Sequence, residues 1–155
     1  MMGMIIIKQP CCKEEFDEMY NLRWKILRNP WNQPKGSEKD EIDFCNERVF
    51  HFIAIINDRI IGTIRFHINN EHEGEIKYLA VHDKHRGQGI GKNLVDHIEW
   101  FAIGLGIPYI KLNTITTAQF LFERLNYQII GEGPLLFNEE KQYQMGKNII
   151  PLLVC

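Results

Sequence analysis

Two periods alternate along this chain. Residues 4–9 are mostly aliphatic and end at Pro10, which predicts a short first strand. Over residues 12–27 the period becomes helical. Phe16, Met19 or Tyr20, Trp24 and Leu27 fall on one stripe, read as core, with Glu14, Glu15, Asp17 and Glu18 elsewhere. Early carboxylates also complement a helix N-terminus. Residues 49–56 are apolar on both faces, as in a strand buried on both sides. After an Asn57-Asp58 turn, Ile60, Gly62, Ile64, Phe66 and Ile68 share one face of a strand and Thr63, Arg65 and His67 the other. A third strand begins at Glu75, so three strands joined by short turns predict an antiparallel meander. Ile90, Leu94, Val95, Ile98, Phe101 and Ala102 then recur at helical spacing and stop near Gly104 and Gly106. A strand over residues 109–114 follows Pro108. Strand, helix and strand in that order make a crossover, so the strand at Tyr109 is expected parallel to the strand at Glu75. Ala118, Leu121, Phe122 and Leu125 predict a shorter helix capped by Thr116 or Thr117 and stopped by Asn126. Residues 127–131 and 142–147 are the last strands.

Residues 29–48 break both periods. Pro30, Pro34 and Gly36 interrupt helix, and Glu38, Asp40, Glu41, Asp43 and Glu47 outnumber Lys35 and Lys39. A solvated connection with a short helix near residues 37–44 is the preferred reading, because charge runs usually face water. The functional alternative is a loop whose carboxylates attract a cationic amine.

Composition narrows the class. The chain has 155 residues, 45% hydrophobic and 25% charged, with a formal net charge of −2. One domain spanning residues 1–155 is expected, and the charge makes no case for nucleic acid. Cys11, Cys12, Cys45 and Cys155 show no metal-ligand spacing and read as reduced thiols of a cytoplasmic protein. No apolar run reaches the ~18 to 20 residues a membrane helix needs, and residues 1–7 do not have the build of a signal peptide.

Candidate chemistry concentrates between the strand at Glu75 and the following helix. There Arg86, Gly87, Gln88, Gly89, Ile90, Gly91 and Lys92 form a basic, glycine-alternating loop. Glycine allows φ above zero and close approach of backbone amides, and a helix start adds free N–H groups and positive potential. Strand, loop and helix together make a phosphate cradle. A nucleoside-triphosphate loop fails, because the position five before Gly91 is Arg86 and Asn93 stands where a hydroxyl should follow Lys92. A dinucleotide fingerprint fails because Gly91 follows Gly87-Gln88-Gly89 one residue too early. What remains is R-x-x-G-x-G, with a plain left-handed glycine turn as the bland alternative.

That motif resembles the pyrophosphate-binding loop of the GNAT superfamily, the acyl-CoA-dependent N-acetyltransferases. Leu112-Asn113, then residues 118–127 (Ala-Gln-Phe-Leu-Phe-Glu-Arg-Leu-Asn-Tyr), resemble a second pattern of the same family at the right separation. With Gln144-Met145-Gly146-Lys147 the likeness covers roughly residues 48–148. It implies an α/β (α+β) fold: a mixed, mostly antiparallel sheet of six to seven strands flanked by helices, splayed into a V between the strands at Glu75 and Tyr109. It further implies acetyl-CoA as co-substrate and a small-molecule or peptide amine as acceptor, with no metal. By resemblance, the backbones of Leu79 and Val81 would pair with the pantetheine amides, and the Leu79–Ala80 amide region would polarise the thioester carbonyl. The N–H groups from Arg86 through Lys92 would hold the pyrophosphate, and Asn113 and Phe122 would border the sulfur end.

The implied chemistry needs a base, since an alkyl amine with a pKa near 10.4 is protonated at neutral pH by roughly 4 to 5 kcal/mol. Glu75 is the first candidate, with an idle strand-end carboxylate as its alternative, and His67 is the second. Phe122 stands where many relatives carry a tyrosine that protonates the leaving thiolate. Tyr78, Tyr127 or Tyr143 would have to substitute, or the thiolate leaves unaided. A cofactor-binding regulatory module without turnover is the rival reading. An acyl-cysteine route is disfavoured, because no cysteine falls in the central strand or the loop and only Cys155 could approach. The apolar tail, residues 149–155, reads as the end of the last strand, with packing across a homodimer as the alternative.

Overall fold

Central strands with two apolar faces need cover on both sides, and the sheet has it. The computed structural model describes residues 3–45, 47–137 and 139–150. Seven strands form one sheet: β1 (Ile6–Lys8), β2 (Val49–Ile56), β3 (Arg59–Asn70), β4 (Glu73–Val81), β5 (Tyr109–Ile115), β6 (Gln128–Glu132) and β7 (Gln142–Asn148). Their order is β1-β2-β3-β4-β5-β7-β6, and all neighbours are antiparallel except β4 and β5. The meander, the crossover and the parallel pair are as the sequence predicts. Asn57 and Asp58, both at positive φ, make the tight β2–β3 turn.

Helix α2 (Ile90–Gly104) covers one face, where Ile64, Phe66, Ile76, Leu94, Val95 and Ile98 belong to the larger apolar cluster. Helix α1 (Lys13–Leu27) covers the other, and Met19 and Leu22 form a smaller cluster with Ile53 and Ile60. The buried stripe of α1 is rotated from the aromatic one expected. Met19, Leu22 and Arg23 are buried, whereas Phe16, Tyr20 and Trp24 are only partly so. The rotation follows from Arg23, which pairs with Asp43 of the connection before β2 and donates to His51 on β2.

The short helix α3 (Gln119–Arg124) follows a 3-10 turn at Thr116–Ala118 that carries no side-chain cap, so neither Thr116 nor Thr117 acts as expected. Tyr127 follows Asn126, which takes the left-handed stop at φ 71°. Ile149 is buried against the larger cluster, and its N–H donates to Pro108 O at 2.9 Å, which continues the last strand's path beside β5. Residues 151–155, including Cys155, lie outside the described residues. Among the described residues no helix is long and apolar enough to cross a membrane.

Gly74 in β4 marks a close approach to the core. A Cβ there would lie 2.3 Å from Phe66 Cε1 and Cζ, and Phe66 is fully buried. Gly74→Ala should therefore lower stability by about 1–3 kcal/mol through overpacking. Urea unfolding reads the change, and an unaltered midpoint would mean the Phe66 ring has room to shift.

Candidate active site

The site begins where β4 and β5 part. Their register runs from Glu73 opposite Tyr109 to Ile76 opposite Leu112 and stops there. β4 continues to Val81 on β3, and β5 continues to Ile115 on β7. The resulting V is the splay expected from the resemblance. A β-bulge in β4 accompanies it: Thr63 faces Ala80 and Arg65 faces Lys77, so Ile64 stands opposite both Tyr78 and Leu79. Tyr78 sits at φ 62°, strained for a residue with a side chain. The bulge turns Tyr78 toward α1, where its hydroxyl donates to Asp40 Oδ2 at 3.0 Å and its ring lies 4.6 Å from the Arg23 guanidinium and 4.7 Å from that of Arg65.

A cavity of about 340 Å³ fills the V. Glu75 and Leu79 from β4, Asn113 from β5 and Phe122 from α3 all line it. Ala80 and Val81 do not; Ala80 is buried and offers only backbone. Glu75 stands at the closed end of the V with its side chain 19% exposed. Asn69 Nδ2 donates to Glu75 Oε1 at 3.1 Å; His67 Nε2 lies 3.8 Å and Lys111 Nζ 3.9 Å from the same oxygen. His67 faces Glu75 across the β3–β4 ladder and is buried, which lowers its pKa despite the nearby carboxylate.

The glycine loop follows β4 directly. Gly87 and Gly89 have φ of 76° and 80°, so both positions require glycine. Gly91 has a different reason: a Cβ there would lie 3.2 Å from Leu121 Cδ2 and 3.8 Å from Leu79 Cδ2, so the first turn of α2 packs onto the V. Gly89 caps α2 without a side chain, and the first amide of the turn with a backbone acceptor is Asn93, which donates to Gly89 O at 3.0 Å. Among the described residues the amides of residues 87–92 have no partner outside the helix, which leaves them free for an anion. Arg86, Gln88 and Lys92 are exposed; Arg86 pairs with Asp83 at 3.1 Å and Lys92 with Asp96 at 2.7 Å. Ile90 is buried, so its side chain faces the core and not the loop's outer surface.

The acidic connection is not a solvated run. Asp43 and Glu38 are buried, and Asp40 is only partly exposed. Asp43 Oδ1 lies 3.0 Å from Arg23 Nη1 and 3.1 Å from Arg65 Nη1, both guanidinium groups being fully buried. Asp40 receives both Arg65 Nη groups, at 2.6 and 3.0 Å, and its carboxyl is held far below the usual carboxylate range by Arg65 and Tyr78 against the opposing effect of burial. Asp40 and Asp43 also close a capping box at the 3-10 turn Glu41–Phe44. The Asp40 and Asp43 carboxylates answer buried arginines. The buried Glu38 carboxylate accepts from Gly36 N, while its main-chain carbonyl accepts from Arg23 Nη1. The expectation that these carboxylates gather a cationic amine therefore does not hold for Glu38, Asp40 and Asp43. The signal was present in α1, since Met19, Leu22, Arg23 and Ile26 also fall at helical spacing.

His51 adds a pH dependence to this network. Arg23 Nη2 donates to His51 Nδ1 at 3.2 Å, and burial, with Arg23 next, pushes the imidazole down to about 4 while Asp43 opposes. The folded value lies below the unfolded 6.5, so the unfolded chain takes the proton first. Its contribution is whole above pH 6.5 and disappears as pH falls toward 4; buried His67, shifted the same way, adds to the slope. Urea midpoints should show a loss on the order of 2 kcal/mol between pH 7 and pH 5. Equal midpoints would contradict a buried neutral His51.

Two tyrosines considered as acid are committed elsewhere. The Tyr78 hydroxyl is held on Asp40, and burial together with that carboxylate pushes it up to about 12. Tyr127 is buried in the core and donates to Glu99 Oε2 at 2.9 Å. Tyr143, on β7, does not line the cavity. Phe122 packs edge-on to Tyr127, with ring centroids 5.7 Å apart, so its ring is held by the core as well as lining the V. The sequence reading did not single out Arg28, Trp31, Leu135 and Leu136, which close the other side of the cavity. All four come from irregular segments or helix ends, where no period marks them.

A family model described as Acetyltransferase (GNAT) family matches residues 16–127. Solved structures share the fold. An aminoglycoside 6'-N-acetyltransferase complexed with coenzyme A superposes with a TM-score of 0.79 at 21% identity, covering 94% of this chain and 98% of that one. The aminoglycoside 6'-N-acetyltransferase from Enterococcus faecium gives 0.76 at 22% identity, with 94% and 98% covered. A GNAT family acetyltransferase from Elizabethkingia anophelis with acetyl-CoA bound gives 0.75 at 20% identity, with 93% and 97% covered.

Proposed function

Because the chain belongs to the GNAT acetyltransferase family, we propose that it moves an acetyl group from acetyl-CoA to a small primary amine, by direct attack within a ternary complex. The observation that carries this reading is the V itself: one cavity in the gap between β4 and β5 brings Glu75 together with Leu79, Asn113 and Phe122, beside a loop of free amides.

The residues present fit the co-substrate. The free amides of residues 87–92 would hold the pyrophosphate, with Arg86 and Lys92 adding positive charge through their side chains; the Arg86 amide, expected to join them, instead donates to Asp83 O at 3.4 Å. Gly87 and Gly89 keep that surface clear, since nothing lies within 4 Å of a Cβ position at either. Leu79 and Val81 would offer their backbones to the pantetheine arm as an added strand, and Asn113 and Phe122 would flank its end. When bound, acetyl-CoA supplies an acetyl group activated as a thioester.

The protein's part is orientation, proton removal and polarisation. Glu75 would accept the proton of the incoming ammonium, directly or through water, with Asn69 fixing one carboxylate oxygen. His67 is too buried to meet the amine first and is better read as support for Glu75. Backbone N–H groups in the Leu79–Ala80 region, beside the bulge, would stabilise charge developing on the carbonyl oxygen. No side-chain acid is assigned. A thiol ionises near pH 8.5, so its thiolate leaves without one. The binding-only alternative rests on Phe122 alone, and no other feature of the site adds to it.

Thiol release from acetyl-CoA, followed with and without a panel of primary amines, tests the reading. Release that depends on the amine supports transfer. Binding of acetyl-CoA without release for any amine would replace this proposal with the binding-only one.

A further inference from the structure

The acceptor half of the cavity has a chemistry of its own. Resting on the transfer reading above, we propose that the acceptor is a hydrophobic amino acid, a primary amine with an apolar side chain and a carboxylate, and that Arg28 selects it by binding the carboxylate. Beyond the residues assigned to the co-substrate, the walls include Leu27, Trp31, Pro134, Leu135 and Leu136, which suit an apolar body, with Thr114 and Gln142 as neutral polar groups beside them. Among the described residues Glu75 is the one carboxylate in the lining, while Arg28 and Lys77 are cations. Asp40 and Asp43, which would otherwise draw a polycation, are outside the lining and paired with buried arginines.

Arg28 carries the argument. It is only 9% exposed, yet among the described residues it has no carboxylate within ion-pair distance. Its Nε donates to Ser37 O and its Nη1 to Leu27 O, each at 3.0 Å. Its guanidinium lies over two rings, 5.3 Å from the centroid of Tyr78 and 5.1 Å from that of Phe137. These contacts fix the plane of the group and leave Nη2 without a partner among the described residues. A buried cation needs a counter-charge, and a fixed guanidinium fork in a cavity wall matches a carboxylate. An acceptor with several ammonium groups would instead meet two like charges. Glu75 and Arg28 thus supply opposite charges to one apolar cavity, the pattern that an amine and a carboxylate on one small molecule would complement.

Amine-dependent thiol release at saturating acetyl-CoA tests this. The acceptors are L-phenylalanine and L-leucine, their decarboxylated counterparts phenethylamine and isoamylamine, and the polycations spermidine and kanamycin. A charge-assisted bond to Arg28 predicts kcat/KM about 10- to 100-fold higher for each amino acid than for its decarboxylated counterpart, with the polycations slowest. Arg28→Gln should bring that ratio toward one, chiefly by raising KM for the amino acids. Loss of folded protein would scale both members of a pair alike and leave the ratio as it was. Equal rates within each pair, fastest turnover of a polycation, or an unchanged ratio in Arg28→Gln would overturn the assignment while leaving acetyl transfer standing. No release with any of the amines, in protein that binds acetyl-CoA, would remove the transfer reading and this proposal with it.

Discussion

Replacing Asp43 by alanine will destabilise the protein by about 3–5 kcal/mol, because among the described residues it strips the buried Arg23 guanidinium of its carboxylate and takes one of two from buried Arg65. Arg23 and Arg65 are fully buried and both contact Asp43 Oδ1, at 3.0 and 3.1 Å. Neither has spare capacity, since Nε of each already finds no acceptor among the described residues. The substitution also removes the Asp43 carboxylate that accepts from Asp40 N at 2.8 Å and helps set the 3-10 turn. Asp43→Asn keeps the shape and one acceptor, so its loss should be smaller. At roughly 2–4 °C per kcal/mol for a chain of this size, the alanine variant should melt on the order of 10 °C lower. A fall of less than 1 kcal/mol in urea unfolding would mean that water reaches and solvates these arginines. The same network holds Asp40 against Tyr78, so weakening it should also loosen the bulge that shapes the V.

Glu75→Gln will lower kcat by roughly 10²- to 10⁴-fold if this carboxylate takes the proton from the amine. The substitution preserves length and leaves an oxygen for Asn69 to donate to, so the fold and acetyl-CoA binding should persist. Loss of kcat with acetyl-CoA affinity retained is what separates a base from a residue that merely holds the site. A fall of less than threefold would mean that the amine reaches the V already deprotonated or that another group serves. His67→Gln provides the comparison, and as support for Glu75 it should have the smaller effect.

What the sequence could show depended on how local the cause was. The strand at Glu75, the loop and α2 were legible because alternation, glycine spacing and helical period all lie within about 30 consecutive residues. The positive φ of Gly87, Gly89 and Asn126 follows from the same local rules. Burial of Glu38 and Asp43 and the pairing of Asp40 were not legible, since Arg23 and Arg65 arrive from a helix and a strand some 20 residues away on either side. A charge run looks solvated until its counter-charges are placed. The bulge escaped notice because it uses Tyr78 where a left-handed conformation would ordinarily call for glycine. Arg28, Trp31, Leu135 and Leu136 escaped because irregular segments carry no period to mark which way a side chain faces. The strand at Glu75 and the glycine loop were therefore readable residue by residue, and the wall of the cavity formed by Arg28, Trp31, Leu135 and Leu136 only from the folded chain.

The most direct measurement is thermal unfolding with acetyl-CoA, CoA, ATP and NAD at matched concentrations, for the wild type and for Gly89→Asp. A ligand at about 100 times its Kd adds roughly 2.7 kcal/mol, a rise of several degrees. Acetyl-CoA and CoA should both produce it in the wild type, and ATP and NAD should not. Aspartate in place of Gly89, at φ 80° and beside the free amides, should abolish it through backbone strain and repulsion of the pyrophosphate. A folded wild type that responds to neither CoA species would contradict the account, leaving the glycine loop as a turn and the V without its co-substrate.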